Sequence, residues 1–250
     1  MTWVSGRRAP ERIMLYGPAG AGKSEAILAI AAKVAPRAVR VVDTDYAWNV
    51  LLDEYEGDNI EVFEVDAEDW DGLRGTVARL VDLTEPDDWM CVDSSSPTWD
   101  AVQAWHTEKV YGLDIADYYT KLLTENTDAK NIAAFGQITD WNVINRQYAK
   151  LMRDFLKCRG HLLLTAEQTP TGDNEVNQSV FGKYGMRPKG NKRLIHMPHT
   201  VIQMRKDAPG EWTMTTRKDR KRDEMDNQVV TNFARDYLMR KGGWHVEGVE

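Results

Sequence analysis

The sequence predicts an α/β chain: a mostly parallel sheet flanked by helices, with a β-hairpin extension toward the C-terminus. Three observations predict it. Short apolar runs recur, at Ile13–Tyr16, Val39–Val42, Trp89–Val92 and His161–Thr165. Between them, apolar residues return at helical spacing. A glycine-rich loop joins the first run directly to the first helical pattern.

The elements follow in order. Ile13-Met14-Leu15-Tyr16 reads as a buried strand. Ala26, Ile27, Ile30, Ala31 and Val34 mark the apolar face of a helix that ends by Pro36, which cannot continue it. Val39–Val42 is a second strand running into Asp43-Thr44-Asp45, and Glu61–Val65 alternates as a third or edge strand. Leu73, Val77, Leu80 and Val81 mark a helix stopping before Pro86, and Trp89–Val92 is a strand closed by Asp93. Helices are expected over Thr98–Val110, Ile115–Glu125 and Asp140–Cys158, the last with Val143, Tyr148, Leu151, Met152 and Phe155 as its apolar face. The strand His161–Thr165 ends at Ala166-Glu167-Gln168. Thr169–His199 reads as a long glycine- and proline-containing loop, functional or disordered. Two hairpin strands follow, Thr200–Met204 and Glu211–Thr216, around the turn Asp207-Ala208-Pro209-Gly210. Phe233–Glu250 reads as a short helix and a glycine-broken tail. The whole is expected to be a single domain, with its core at about residues 12–222 and a tail from 223 to 250.

Composition narrows the class. The 250 residues are 42% apolar, enough for a core, and no apolar run is long enough to span a membrane. Met1–Glu11 lacks the apolar stretch of a secretion signal, so a cytoplasmic protein is expected. Cys91 and Cys158 sit in apolar surroundings and read as reduced core residues. The net charge of −7 is unevenly spread: Asp43–Asp100 holds eighteen acidic and two basic residues, whereas Lys183–Arg222 holds twelve basic and three acidic ones. Two readings stand for the basic part. It is a solvated, patchily charged surface, or it meets nucleic acid, nucleotide or the acidic half of a neighbouring subunit.

The chemistry centres on Gly17-Pro18-Ala19-Gly20-Ala21-Gly22-Lys23-Ser24, which fits G-x-x-x-x-G-K-[ST] at every fixed position, between a strand and a helix. Glycines let backbone N–H groups close around phosphate oxygens, and the helix start adds the positive end of its dipole. Lys23 is expected to reach the β- and γ-phosphates of ATP and Ser24 to hold Mg²⁺. Asp93, at a strand end, is the expected carboxylate partner of that metal. Asp45, Glu167 and Gln168 lie just past strand ends and are the candidates to orient the attacking water or sense the γ-phosphate; the sequence leaves the choice between the two carboxylates open.

These residues carry a resemblance. Val42-Asp43-Thr44-Asp45-Tyr46-Ala47 resembles the segment of RecA-type ATPases that bears their catalytic carboxylate, with Asp45 where that family generally has Glu. Val92-Asp93-Ser94 resembles their Walker B strand end, and the strand ending in Gln168 is similar to the one carrying their switch glutamine. Arg217-Lys218-Asp219-Arg220 resembles their segment that reaches a neighbour's nucleotide, with Asp in place of the frequent Asn. More narrowly, the chain resembles phage nucleotide-binding ATPases of the RecA-like superfamily, some of which are single-strand annealing recombinases. The resemblance covers about residues 12–222. It implies a RecA-like P-loop NTPase fold, a head-to-tail ring or filament, and trans action by Lys218 and Arg220. It also implies that the loop Gln178–Arg193 faces single-stranded DNA. There Lys183, Arg187, Lys189, Lys192 and Arg193 would follow phosphates, and Phe181 or Tyr184 would stack on bases. The bland reading of that loop is a lid without DNA contact. The rival classes are a nucleotide or small-molecule kinase, with Arg217–Arg222 as an arginine-rich lid, and a phage motor or assembly ATPase.

Overall fold

The computed structural model describes residues 10–53, 55–125, 138–172, 178–179, 181–191, 194–208, 211–220, 223–230 and 233. Its strands are β1 (Arg12–Gly17), β2 (Val39–Asp43), β3 (Ile60–Glu64), β4 (Trp89–Asp93), β5 (His161–Pro170), β6 (Met186–Pro188), β7 (Thr200–Ala208), β8 (Glu211–Asp219) and β9 (Val229–Val230). Its helices are α1 (Lys23–Val34), α2 (Trp48–Leu52), α3 (Trp70–Leu83), α4 (Pro97–Tyr111), α5 (Ile115–Glu125) and α6 (Ile138–Leu156). The strands run in the order β3-β2-β4-β5-β1-β7-β8-β9, with β6 added beside β5. Pairing is parallel from β3 through to β7 and antiparallel from β7 to β9. The expected α/β class and C-terminal hairpin are therefore present.

The two-residue period of β1 divides the core. Ile13 and Leu15 face one side, where they join Ile27, Ile30 and Val34 of α1. Met14 and Tyr16 face the other, against Leu73 and Val77 of α3, Val102 of α4 and Leu151 and Phe155 of α6. Both faces of the parallel sheet are thus covered, which is why its strands read as continuous apolar runs. The five residues expected to bury α1 are all buried.

Arg12 secures one edge of this arrangement. Its guanidinium is buried and donates to the carbonyls of Glu11 (2.9 Å), Gly160 (2.7 Å) and Cys158 (2.5 Å), and more weakly to Leu156 (3.5 Å). It thereby satisfies acceptors orphaned at the end of α6, and a cation suits a helix C-terminus. Cys91 and Cys158 are free and buried, as expected. No helix among the described residues is long and apolar enough to cross a membrane.

Several expectations need correction. On α6 the buried residue is Ile144, not Val143, which is 41% exposed; the stripe Ile144, Tyr148, Leu151, Met152, Phe155 keeps the helical period and Val143 falls beside it. β5 does not stop at Thr165. It continues to Pro170 because β6 pairs with it, Gln168 opposite Pro188 and Pro170 opposite Met186. Part of the supposed long loop is therefore strand. The hairpin is longer than expected, and its turn residues 209–210 lie outside the described residues. So does the tail from 234 to 250.

Candidate active site

In a parallel sheet, strand ends that share a register share an edge. Asp43 at the end of β2 lies opposite Asp93 at the end of β4, and Gly17 at the end of β1 lies opposite Glu167 on β5. The carboxyl ends of four strands thus gather the glycine loop, Asp93, Glu167 and the segment leading to Asp45.

The loop itself depends on two glycines. A side chain on Gly17 would collide with the Met204 carbonyl of β7, and Gly22, at φ 82°, is the left-handed N-cap of α1. No side chain caps the amides that follow Gly22, so the helix start keeps its donors for a ligand. Trp212 of β8 braces the loop, its Nε1 donating to Gly20 O at 3.3 Å.

Ser24 Oγ donates to Asp93 Oδ2 at 2.6 Å. Trp48 Nε1 donates to the same oxygen at 3.0 Å, and Thr165 Oγ1 donates to Oδ1. Lys23 Nζ donates to Gly17 O (3.1 Å) and Pro18 O (2.9 Å) of its own loop. Burial pushes the Lys23 pKa down, and the charges of Asp93, Glu167 and Asp45 push it back up. Burial also raises Asp45, helped by Asp93, Asp43 and Glu167 and opposed by the Thr44 hydroxyl. Lys23, Asp45, Asp93 and Glu167 therefore share one electrostatic neighbourhood. Glu167 is tied elsewhere: its carboxylate takes Lys189 Nζ at 2.9 Å, and its amide donates to Ser96 Oγ at 2.8 Å. The hydroxyl and carboxylate at Ser24 and Asp93 are hard oxygen donors of the kind Mg²⁺ takes, alongside phosphate oxygens and water. No cage of three or more His, Cys, Asp or Glu side chains exists among the described residues, so a metal here would need the phosphates to complete its shell.

Gln168 sits on the strand extension and accepts weakly from Gln203 Nε2 (3.5 Å). Gln203 Oε1 takes both Nε (3.1 Å) and Nη2 (2.7 Å) of Arg217. Arg217 is the extra residue of a bulge in β8, between the pairs Val201–Lys218 and Ile202–Thr216, which re-aims its side chain. Its guanidinium stacks on Tyr184 at 4.1 Å, with Lys183 over the same ring at 4.8 Å. A polar chain thus links the carboxyl end of β5 to the basic segment.

Other expected residues are placed differently. Phe181 is fully buried, with its ring 6.0 Å from that of Tyr16, so it is a core residue without a face for a base. Arg187 is half-buried and donates to Pro188 O, and Lys189 pairs with Glu167, so neither is a free cation for a phosphate chain. Lys192 and Arg193 lie outside the described residues. Lys218 does not project outward: its ammonium donates to Ile195 O (2.8 Å) and Pro198 O (2.7 Å). Arg220 is exposed and holds His196 O at 2.9 Å. Sequence reasoning missed Trp48, Thr165, Gln203, Arg217 as a ring partner, and Trp212.

The inward Lys218 has a measurable consequence. Burial, reinforced by the neighbouring charge of Arg220, pushes its pKa down to about 8 from the usual 10.5. Between those values the unfolded chain holds a proton that the folded chain has released, so stability rises with pH across that window. Denaturant unfolding at pH 7.5 and 9.5 is expected to show this gain in the native protein and to lose it in Lys218→Met.

The family profile described as AAA domain, AAA_24, matches residues 9–224. The crystal structure of the RadB recombinase aligns with a TM-score of 0.54 at 12% identity, covering 89% of this chain and 86% of that one. That likeness is one of fold, and it makes the α/β architecture RecA-like. No curated protein shows a match. The profile takes in the phosphate loop, the Ser24–Asp93 pair and the strand ends around them, and the chain belongs to the AAA_24 family of P-loop ATPase domains.

Proposed function

We propose that this chain is a Mg²⁺-dependent ATPase whose residues 12–222 work as one domain, binding single-stranded DNA and promoting annealing or recombination as a head-to-tail ring or filament, as the resemblance to phage RecA-like proteins implies. The observation that carries the ATPase reading is the 2.6 Å contact between Ser24 and Asp93, with Lys23 and Asp45 in the same neighbourhood.

The residues divide the work. The amides of Gly20–Ser24 cradle the phosphates, and Lys23 exchanges its two loop carbonyls for phosphate oxygens. Ser24 and Asp93 would hold Mg²⁺, which when bound would supply charge neutralisation for the phosphates. Asp45 orients the water: among the described residues its carboxylate meets the Thr44 hydroxyl at 3.3 Å, as a weaker acceptor of that proton than Ser94 O at 3.0 Å, whereas Glu167 is engaged by Lys189. The raised pKa of Asp45 suits a group that accepts a proton. Gln168, Gln203 and Arg217 connect this end to Tyr184 and Lys183, which we assign to DNA. Arg220 is the exposed cation available to an adjacent subunit's site. The protein would act in the cytoplasm, that of a host cell if it is phage-encoded.

ATP turnover with and without single-stranded DNA, alongside a panel of nucleoside monophosphates, tests the proposal. Stimulation by DNA is expected. Phosphoryl transfer to a monophosphate would establish the kinase class, and turnover indifferent to DNA would favour a motor or assembly role.

A further inference from the structure

The Asp93 carboxylate is held by more than the phosphate loop, and the extra hold comes from a segment without an assigned part in it. Oδ2 takes Ser24 Oγ and Trp48 Nε1, while Oδ1 takes Thr165 Oγ1. Trp48 is 1% exposed, packed in the apolar layer that contains α1, so its indole has one orientation. Its backbone is fixed as well. The Asp43 carboxylate accepts the Trp48 amide on Oδ2 (3.1 Å) and the Asp45 amide on Oδ1 (3.0 Å). Thr44 joins the same turn to the strand end opposite: its amide donates to Asp93 O (2.9 Å), and its hydroxyl donates to Ser94 O (3.0 Å) and accepts from Ser94 N (2.9 Å).

The segment 43–48 is therefore one hydrogen-bonded unit with the end of β4. It carries Asp45 at one end and a rigid N–H aimed at Asp93 at the other. The geometry points to Trp48 as a positioning residue for the metal-binding carboxylate, with Asp43 setting it in place. Ser24 is the donor that a bound Mg²⁺ would engage. Trp48 and Thr165 are then the donors left to fix the rotation of the carboxylate. An indole N–H suits that role: it only donates, it stays neutral, and it cannot itself compete for the cation. Groups that hold a metal's ligands in this way typically govern affinity or activity by roughly 10–100-fold. The inference rests on the ATPase reading above for its consequence and on the Trp48–Asp93 contact for its cause, and the two can be tested apart.

Trp48→Phe keeps an aromatic side chain, smaller than the indole, and removes the donor. Calorimetric binding of a non-hydrolysable ATP analogue, with Mg²⁺ and with chelator, is the direct readout. Affinity in chelator is expected to match the native protein, while the gain on adding Mg²⁺ shrinks by about tenfold or more. A merely structural tryptophan would change both affinities together or neither, and a folded variant with the native Mg²⁺ gain overturns the inference. A second measurement does not depend on that variant folding. In ¹⁵N-indole-labelled protein carrying Trp212→Phe, which removes the other indole at the phosphate loop, Asp93→Asn is expected to shift one Nε1–H resonance. Indole resonances unmoved by Asp93→Asn overturn the contact. That test uses no nucleotide, so a failed ATPase reading would show instead as native protein that binds no analogue.

Discussion

Lys23→Ala is expected to reduce ATP turnover by at least 10²-fold and to weaken nucleotide binding by roughly tenfold or more. A hydrogen bond to a charged group contributes about 1.5–3 kcal/mol, and losing a donor aimed at developing charge costs about 10²–10³ in rate. Lys23 combines both roles in a site where Asp93, Glu167 and Asp45 would otherwise repel a triphosphate. The fold should survive. Among the described residues the side chain bonds the carbonyls of Gly17 and Pro18, on a loop secured independently by the Gly17–Met204 packing and by Trp212. Steady-state turnover and analogue binding check the expectation, with a urea midpoint close to native as the control. Native turnover in this variant would remove the phosphate loop from the chemistry.

Asp93→Asn is expected to be the second most damaging change, with turnover down by about 10²-fold or more as a bound metal loses its carboxylate partner. The substitution preserves shape. An amide can keep its oxygen toward Ser24 and Trp48 and turn its NH₂ toward Thr165, whose hydroxyl rotates to accept. Stability should therefore change little. Asp93→Ala differs, because it leaves the buried Trp48 N–H without an acceptor, at a cost of about 1–3 kcal/mol. Comparing the two by thermal unfolding and by turnover separates the metal role of the carboxylate from its packing role. Equal turnover in native and Asp93→Asn proteins would argue against metal-assisted chemistry at this position.

The parts of this molecule that were legible in the sequence are those fixed by local pattern. Ile13–Tyr16, Val39–Val42 and Trp89–Val92 are strands within a residue or so of their expected ends, because both faces of a parallel strand are buried and the run is unbroken. The phosphate loop was legible because its chemistry demands a fixed spacing of glycine, lysine and serine. What escaped was set by partners distant along the chain. Nothing local marks Glu167-Gln168-Thr169 as strand; β6 makes it so from some twenty residues away. Phe181 sits among basic residues, and only the fold shows the space beside Tyr16 that it fills. Lys218 looks like a surface cation until the carbonyls of Ile195 and Pro198 are placed next to it. Trp48 and Asp93 are brought within hydrogen-bonding distance by the register of β2 on β4, which no short motif encodes.

Two of these corrections bear on function. With Phe181 in the core, Arg187 half-buried and Lys189 engaged by Glu167, the DNA contacts we propose narrow, among the described residues, to Tyr184 and Lys183, beside Arg217. The same Lys189 contact is what favours Asp45 over Glu167 as the group that orients water.

The central claim is that the loop Gly17–Ser24 and the carboxylate of Asp93 hold a magnesium-bound triphosphate between them. Isothermal titration of native protein with a non-hydrolysable ATP analogue, in Mg²⁺ and then in chelator, tests it most directly. The account predicts saturable binding with Mg²⁺, at least tenfold weaker binding without it, and loss of that difference in Asp93→Asn. Affinity that ignores Mg²⁺, or no binding at all, would contradict it.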